Sequence, residues 1–183
     1  MGADRSVDSF WGNIFSRRND REKALHEVLA TIPLFEGLRK SELERVARLL
    51  YERRYSAGEA VFHQGEPGVG MYIILEGRVE VIFEPTGQVL AELKAGEFFG
   101  EMSLVDESPR AATVAALTDS RMMGLFLSDL TDLIDRNPRL GVKILQRLVH
   151  VVASRLRRSN EQLSQMREEL RSLSAHDSMA DED

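Results

Sequence analysis

The chain has 183 residues and a formal net charge of -6, with 24 lysines and arginines against 30 aspartates and glutamates. A chain of this length builds one buried core with appended segments, and its negative charge excludes broad electrostatic attachment to nucleic acid. The absence of cysteine excludes disulfides, thiolate metal sites and cysteine nucleophiles.

The N-terminal end does not have the apolar core of a signal peptide, because Asp4, Arg5 and Asp8 interrupt it. No run reaches the roughly 18 apolar residues of a membrane span, so we expect a cytoplasmic protein. Residues 1–20 hold three aromatic residues at helical spacing and predict a helical segment that docks on the domain or on a partner.

Two short helices are predicted before the strands begin. Residues 21–30 have a helical composition, and Pro33 breaks the pattern. Ser41 is positioned to cap a second helix that runs to about Leu50.

Residues 51–127 change to short β-branched and aromatic runs separated by glycine turns. Many short runs with a turn signal between them predict an antiparallel sandwich, roll or barrel. With the flanking helices, residues 21–138 are therefore predicted to form an α+β domain that is mainly β, a jelly-roll-like antiparallel β-roll.

A short helix and then a long one are predicted after the strands. Ser128 is expected to cap the first, over residues 129–136, and Pro138 suits the first turn of the second. Residues 139–174 repeat an apolar residue every seven positions for about four heptads, which predicts a coiled coil and a homodimer. The predicted seam contains Leu145, Val149, Val152, Leu156, Leu163, Met166, Leu170 and Leu173, with Ser159 as its polar member.

The alternative for this helix is an amphipathic helix that lies on the β domain. A helix of about 35 residues is roughly 50 Å long, however, which is longer than a small domain can cover. Residues 175–183 are acidic and predict a disordered tail.

The segment GEFFGEMSLVDESPRAATVAA, residues 96–116, has the composition of a site for a phosphorylated sugar. Arg110 suits a phosphodiester, and Glu101 would accept a hydrogen bond from a ribose hydroxyl. Gly100 permits close approach of the backbone, and Ala111 and Ala112 leave nearby amides unobstructed. Composition alone leaves open that Glu101 and Arg110 only pair across a loop.

The sequences FGEMSL, from Phe99, and PRAATV, from Pro109, resemble the phosphate-binding cassette of the cyclic-nucleotide-binding domain family. That family includes the bacterial catabolite activators and the regulatory subunits of protein kinase A. The resemblance covers about residues 25–156. It implies that Arg110 holds a cyclic phosphate and that Glu101 binds the ribose 2′-hydroxyl, in a cradle completed by Gly100, Met102, Ser103, Ala111 and Ala112.

The resemblance also implies the rest of the ligand site. Val79 and Leu90 are expected to line the base pocket, although ordinary core positions are an open alternative. Ser159 is expected to cap the purine, or else to be a tolerated polar residue in the seam. Ala111 does not have the threonine hydroxyl common in members that bind cyclic GMP, which favours cyclic AMP.

No enzyme is predicted, and neither a catalytic residue nor a metal site nor a cofactor is expected, because the four histidines fall in separate segments. Few residues follow the last heptad, so we expect no recognition helix and no sequence-specific DNA binding. The predicted function is a cyclic nucleotide sensor that signals through an unknown effector protein in trans. The alternatives are a ligand-independent dimeric scaffold and a sensor of another anionic nucleotide.

Overall fold

The computed structural model describes residues 25–106 and 108–180, and along the last helix it describes side chains as far as Glu168 and at Arg171. The predicted segment of residues 1–20 and the last three residues lie outside the described residues. The helical elements are α1 (25–31), a 3-10 turn (Pro33–Phe35), α2 (Lys40–Ala47), a 3-10 helix (Glu101–Leu104), α3 (Leu127–Arg136) and α4 (Pro138–Ala180).

Among the described residues, eight strands lie between α2 and α3, and they form two antiparallel four-stranded sheets. The first sheet has the order β1-β8-β3-β6, and the second has the order β2-β7-β4-β5. This architecture confirms the predicted α+β fold with an antiparallel β-roll. The strands are β1 (Tyr51–Tyr55), β2 (Ala60–Phe62), β3 (Gly70–Glu76), β4 (Arg78–Phe83), β5 (Gln88–Lys94), β6 (Phe98–Phe99), β7 (Thr113–Ala116) and β8 (Ser120–Phe126).

Strand β3 is buried on both faces, and its alternating side chains belong to two cores. Met71 and Ile73 pack among the helices, whereas Tyr72 and Ile74 pack between the two sheets. Successive side chains of a strand point to opposite faces, so one continuous apolar run can serve both layers. The first sheet therefore forms the middle layer, with helices on one side and the second sheet on the other.

Helix α4 carries two apolar stripes. Leu140, Ile144, Leu148 and Val151 are buried against the helical core. A second stripe is exposed, and it consists of Val142, Leu145, Val149, Leu156, Leu163 and Met166. The exposed stripe follows the predicted seam, while the coiled coil itself stays a prediction.

Two predicted helix caps are wrong. Ser41 lies inside α2, and the cap is made by the Glu42 carboxylate, which accepts the Arg39 amide at 2.8 Å. Ser128 lies inside α3, which begins at Leu127 after an extended Phe126 without a side-chain cap.

The predicted end points of two helices also differ from the structure. Helix α2 ends at Ala47, where the prediction carried it to about Leu50, and α4 continues to Ala180, where the prediction ended it at residue 174. No proline or glycine occurs between Lys143 and Ala180 to end α4 earlier.

A nearly buried carboxylate joins α2 to α4. Lys143 Nζ donates to both carboxylate oxygens of Glu42, at 2.7 and 3.0 Å. The Arg39 amide donates to the same carboxylate. The hydrogen bond from Lys143, followed by those from Arg39, lowers the pKa of Glu42 to about 2. These bonds tie the long helix to the entry helices of the domain.

We expect Glu42→Gln to lower the free energy of unfolding at neutral pH by roughly 1–3 kcal/mol, because Lys143 keeps a weaker, uncharged acceptor. The pKa of Glu42 is lower in the folded state than in the unfolded state. The contribution of the Glu42 charge to the free energy of unfolding is therefore present above about pH 4.5 and is lost as the pH falls towards 2. Urea unfolding at successively lower pH should show the difference between wild type and variant shrinking.

Glu36→Gln is the matched control. Glu36 also pairs with α4, through Arg147 at 3.0 Å, but its side chain is 67% exposed. We expect a change below about 1 kcal/mol for this exposed pair. Equal effects of the two substitutions would contradict a special role for Glu42.

Candidate functional site

A cavity of about 400 Å³ lies between the second sheet and α4. Residues 99–103, 106 and 108–112 of the cassette form one wall, and residues of β4 and β5 form another. Arg155 and Arg158 of α4 close the third side. The cavity therefore lies where the roll meets the long helix.

Gly100, the second residue of the cassette, has a left-handed backbone, at φ 76°. A Cβ built there would lie 2.7 Å from Nη1 of Arg110 and 3.2 Å from the Gly70 carbonyl oxygen. Only glycine adopts this conformation at low cost and leaves room for the guanidinium. The Glu101–Leu104 helix follows at once and buries Glu101 and Ser103.

The Arg110 side chain is buried, with 6% of its surface exposed. Nη1 donates to Ser103 Oγ at 2.8 Å and to the Gly100 carbonyl at 3.3 Å. The guanidinium carbon lies 3.9 Å from the ring centroid of Phe62, in a cation–π contact. Arg110 Nε is buried and has no hydrogen-bond partner in the described part of the chain.

Desolvation by this burial lowers the pKa of Arg110, while the negative charges of Glu66 and Glu101 and the Tyr72 hydroxyl act in the opposite direction. Arginine nevertheless stays protonated in proteins, so the cavity contains a desolvated cation. A buried cation with an unused donor favours an anionic ligand.

Glu101 is the second buried charge of the cavity, with 5% of its surface exposed. Arg155 Nη1 lies 2.7 Å from Glu101 Oε1, and Arg155 Nη2 donates to the Phe98 carbonyl at 2.9 Å. The Arg155 guanidinium also lies over the Phe98 ring, 4.6 Å from its centroid. Arg155 thus joins α4 to β6, through Phe98, and to the 3-10 helix that carries Glu101.

Most of the predicted site residues lie together in the cavity wall. The structure brings seven of them there: Gly100, Glu101, Met102, Ser103, Arg110, Ala111 and Ala112. Val79, Leu90 and Ser159 are not part of the lining.

The two residues predicted to line the base pocket do not line the cavity, and the reason differs between them. Val79 is fully buried between the sheets, so it is sealed from the cavity. In the β4–β5 ladder, Val81 pairs with Ala91 and the following pair is Ile82 with Val89, so Leu90 is the bulged residue and lies exposed. Besides Met102, Pro109, Ala111 and Ala112, the apolar side chains that line the cavity are those of Phe62, Val81, Ala91, Leu93, Phe99 and Val114.

Sequence reasoning missed Arg155 and Arg158 as site residues. In the sequence, Arg155, Arg157 and Arg158 form a basic cluster, and such a run in a predicted coiled coil is usually a solvated face. The spacing of three residues between Arg155 and Arg158 on one helix places them on the same side and was the available signal. Ser159, by contrast, is exposed and outside the lining.

A larger depression of about 620 Å³ lies elsewhere, at the ends of β1, β3 and β8. Its two arginines already pair with glutamates, Arg121 with Glu76 at 2.5 Å and Arg54 with Glu52 at 3.1 Å. It therefore does not present the kind of buried, incompletely paired cation found in the first cavity.

Within residues 25–106 and 108–180, no group of three or more histidine, aspartate or glutamate side chains is arranged to hold a metal ion. The helices there also do not combine the length and the apolar character that crossing a membrane requires.

Comparison with known proteins identifies relatives that share this fold. A family model described as the cyclic nucleotide-binding domain matches residues 52–137. The chain is 41% identical over 123 residues to a cAMP-dependent protein kinase regulatory subunit of Mycosarcoma maydis, covering 64% of this chain and 23% of that subunit. It is 35% identical over 134 residues to the Cyclic AMP receptor protein of Thermus thermophilus, covering 72% of this chain and 60% of the receptor.

A crystal structure of a cyclic nucleotide-binding domain from Methylobacillus flagellatus has the same architecture, with a TM-score of 0.68 and 29% identity. The match covers 76% of this chain and 80% of that domain. The chain spans less than two thirds of the length of either curated relative. Fold and sequence agree that the protein belongs to the cyclic nucleotide-binding domain family.

Proposed function

We propose that this chain is a sensor of a cyclic nucleotide, cyclic AMP in preference to cyclic GMP, and that it signals through a partner protein in trans. The observation that carries the proposal is the buried Arg110 guanidinium, whose Nε has no partner among the described residues. A cation held in this way at the back of a cavity favours a ligand with a single compact negative charge.

The cyclic phosphodiester is the part of the ligand that Arg110 would bind. Its two free oxygens match the planar donor fork of a guanidinium. Ser103 and Phe62 hold the guanidinium in place before the ligand arrives, so little side-chain entropy remains to be lost on binding.

Glu101 would accept a hydrogen bond from the ribose 2′-hydroxyl. The same carboxylate already pairs with Arg155 of α4 at 2.7 Å. Sugar binding therefore changes the environment of a helix residue, and by linkage the position of α4 changes the affinity for the sugar. A conformational response requires that the ligand favour one position of α4 over another by a few kcal/mol.

The purine would lie against the apolar part of the cavity, which includes Val81, Leu93 and Val114. Ala111 lies in the same lining and has no hydroxyl to hydrogen-bond a guanine, which supports cyclic AMP over cyclic GMP. Another anionic nucleotide and a ligand-independent scaffold are the competing outcomes of the titration below.

The exposed stripe of α4 supports an output through protein contacts. Leu156 is 61% exposed and Val149 is 65% exposed, at positions seven residues apart. Apolar residues at heptad spacing on a helix that extends past its own domain are typical of a helix that packs against a second helix. A second copy of this chain is the partner proposed for the stripe, and the effector that reads the dimer is a separate protein.

We expect isothermal titration with cyclic AMP to give a dissociation constant of about micromolar or tighter, with weaker binding of cyclic GMP. Arg110→Gln removes the charge and the donor fork, so affinity should fall about 10- to 100-fold. Arg121→Gln is the control, because Arg121 pairs with Glu76 away from the cavity. Equal affinity of wild type and Arg110→Gln for cyclic AMP would show that Arg110 does not bind the phosphate. If the wild type gives no heat with either nucleotide, the chain is not a sensor of cyclic AMP or cyclic GMP.

Gly100→Ala tests the geometry of the cradle, with Gly96→Ala as its matched control. Both glycines have left-handed backbones, but an added Cβ at Gly96 meets nothing within 4 Å. Each alanine should cost about 1–2 kcal/mol of stability in urea unfolding. Only Gly100→Ala should weaken cyclic AMP binding, by about tenfold, because Arg110 must move. Equal affinities of the two variants would contradict the proposed cradle.

Sedimentation equilibrium tests the dimer. The wild type should sediment at twice the chain mass of 20.7 kDa. Leu156→Glu combined with Leu163→Glu should give a monomer, because four carboxylates would meet in one apolar seam. The control adds the same two charges beside the stripe, as Ser164→Glu with Gln165→Glu, and should stay dimeric. A monomeric wild type would refute the dimer.

A further inference from the structure

The backbone of Arg110 is held by the loop of residues 63–69, between β2 and β3. The Arg110 amide donates to the Glu66 carbonyl at 2.8 Å, and the Gly65 amide donates to the Arg110 carbonyl at 2.9 Å. Phe62, whose ring faces the guanidinium, is the residue just before this loop. The position of the loop therefore sets both the main chain and the aromatic support of Arg110.

A closed ring of hydrogen bonds holds this loop to two strands. The Gln64 amide donates to Thr113 Oγ1 at 2.8 Å. The Thr113 hydroxyl donates to the Glu84 carboxylate, and the Glu84 amide donates to the Gln64 side-chain carbonyl at 2.9 Å. Gln64 belongs to the loop, Thr113 is the first residue of β7, and Glu84 directly follows β4. We refer to them as the Gln64–Thr113–Glu84 ring.

The hydroxyl of Thr113 is the centre of the ring. It accepts from Gln64 and donates to Glu84 in a site where Thr113 is 6% exposed, so water cannot easily replace it. His63 Nδ1 lies 3.3 Å from the same Glu84 oxygen. The hydrogen bonds from Thr113 and then from His63 lower the pKa of Glu84, so the carboxylate is ionised at neutral pH and is a strong acceptor.

We propose that Gln64, Thr113 and Glu84 are positioning residues for Arg110, which set its affinity for the phosphate without touching the ligand. None of the three belongs to the lining of the cavity in the described part of the chain. They act on the ligand site indirectly, through the loop. The Gly65 amide and the Glu66 carbonyl of that loop form hydrogen bonds with the backbone of Arg110. The effect on ligand affinity rests on the proposed function, whereas the hold on Arg110 is a property of the free protein.

A ring that only stabilises the β-roll would behave differently. Its loss would weaken every part of the ligand site together and would lower protection throughout both sheets. A positioning ring instead acts on the Arg110 turn and on the phosphate alone. Both differences can be measured.

The first test uses amide hydrogen exchange in the free protein, read by nuclear magnetic resonance. Thr113→Val keeps the shape of the side chain and removes the hydroxyl, while Thr113→Ser keeps the hydroxyl as the matched control. The amides of Gly65 and Arg110 should exchange about tenfold faster in Thr113→Val than in Thr113→Ser, with the amide of Ile73 unchanged. Unchanged exchange at Gly65 and Arg110, or equal acceleration at Ile73, would overturn the proposal.

The second test compares cyclic AMP with adenosine, which has no phosphate, in titrations at neutral pH. Thr113→Val and Glu84→Ala should weaken cyclic AMP binding about tenfold and leave adenosine binding unchanged, and Glu84→Gln, which keeps an acceptor, should restore most of the loss. Wild-type affinity in Thr113→Val and Glu84→Ala, or an equal loss for both ligands, would overturn the positioning role. If the wild type binds neither cyclic AMP nor cyclic GMP, the proposed function fails, and hydrogen exchange alone then decides whether the ring holds Arg110.

Discussion

A guanidinium kept out of water is the constraint around which this domain is organised. Removing a charge from water is costly unless other groups replace the lost hydration. For Arg110 the replacements are the Ser103 hydroxyl, the Gly100 carbonyl and the face of Phe62, which come from the cassette and from β2. They leave Nε unsatisfied among the described residues, so the compensation is incomplete in the structure. The hydration that Arg110 loses on burial is therefore only partly replaced, and a bound anion can supply the remaining interaction.

The buried carboxylate of Glu101, unlike the Arg110 guanidinium, already has an ionic partner among the described residues. That partner, Arg155, belongs to α4 rather than to the cassette. A ligand with a phosphate and a neighbouring hydroxyl would therefore meet one cation that is incompletely satisfied and one carboxylate that is shared with the helix. On the proposed function, the first contact would supply affinity, and the second would couple ligand binding to the position of α4. The apolar contacts of α4 with the core end at Val152, and the Arg155 contacts with Glu101 and Phe98 are the next attachment of the helix to the domain.

The parts of the site that could be predicted from sequence are those built by neighbouring residues. The cassette lies within residues 99–112, and its left-handed glycine and its arginine can be recognised from short motifs. The base pocket depends on how β4 pairs with β5, and the bulge at Leu90 changes which side chains face the cavity. A shift of one residue in a strand exchanges its two faces, and composition does not show such a shift.

Long-range packing explains the remaining differences between prediction and structure. Arg155 and Arg158 looked like solvated helix residues because their role depends on where α4 lies against the roll. Thr113 and Glu84 are 29 residues apart in the chain, and their hydrogen bond forms only when β7 and β4 pair. The predicted cap at Ser41 is wrong for a local reason, because the Glu42 carboxylate, inside α2, accepts the Arg39 amide.

The length of α4 has a mechanical consequence. Arg155 contacts the cassette near the middle of the helix, and about 25 residues, or roughly 38 Å of helix, follow it before Ala180. A straight helix of that length acts as a lever arm. A tilt of about 5° at Arg155 moves the far end by roughly 3 Å, which is comparable to the radius of a side chain. On the proposed function, a small shift of Arg155 against Glu101 would therefore be amplified along α4 into a displacement that a partner protein could detect.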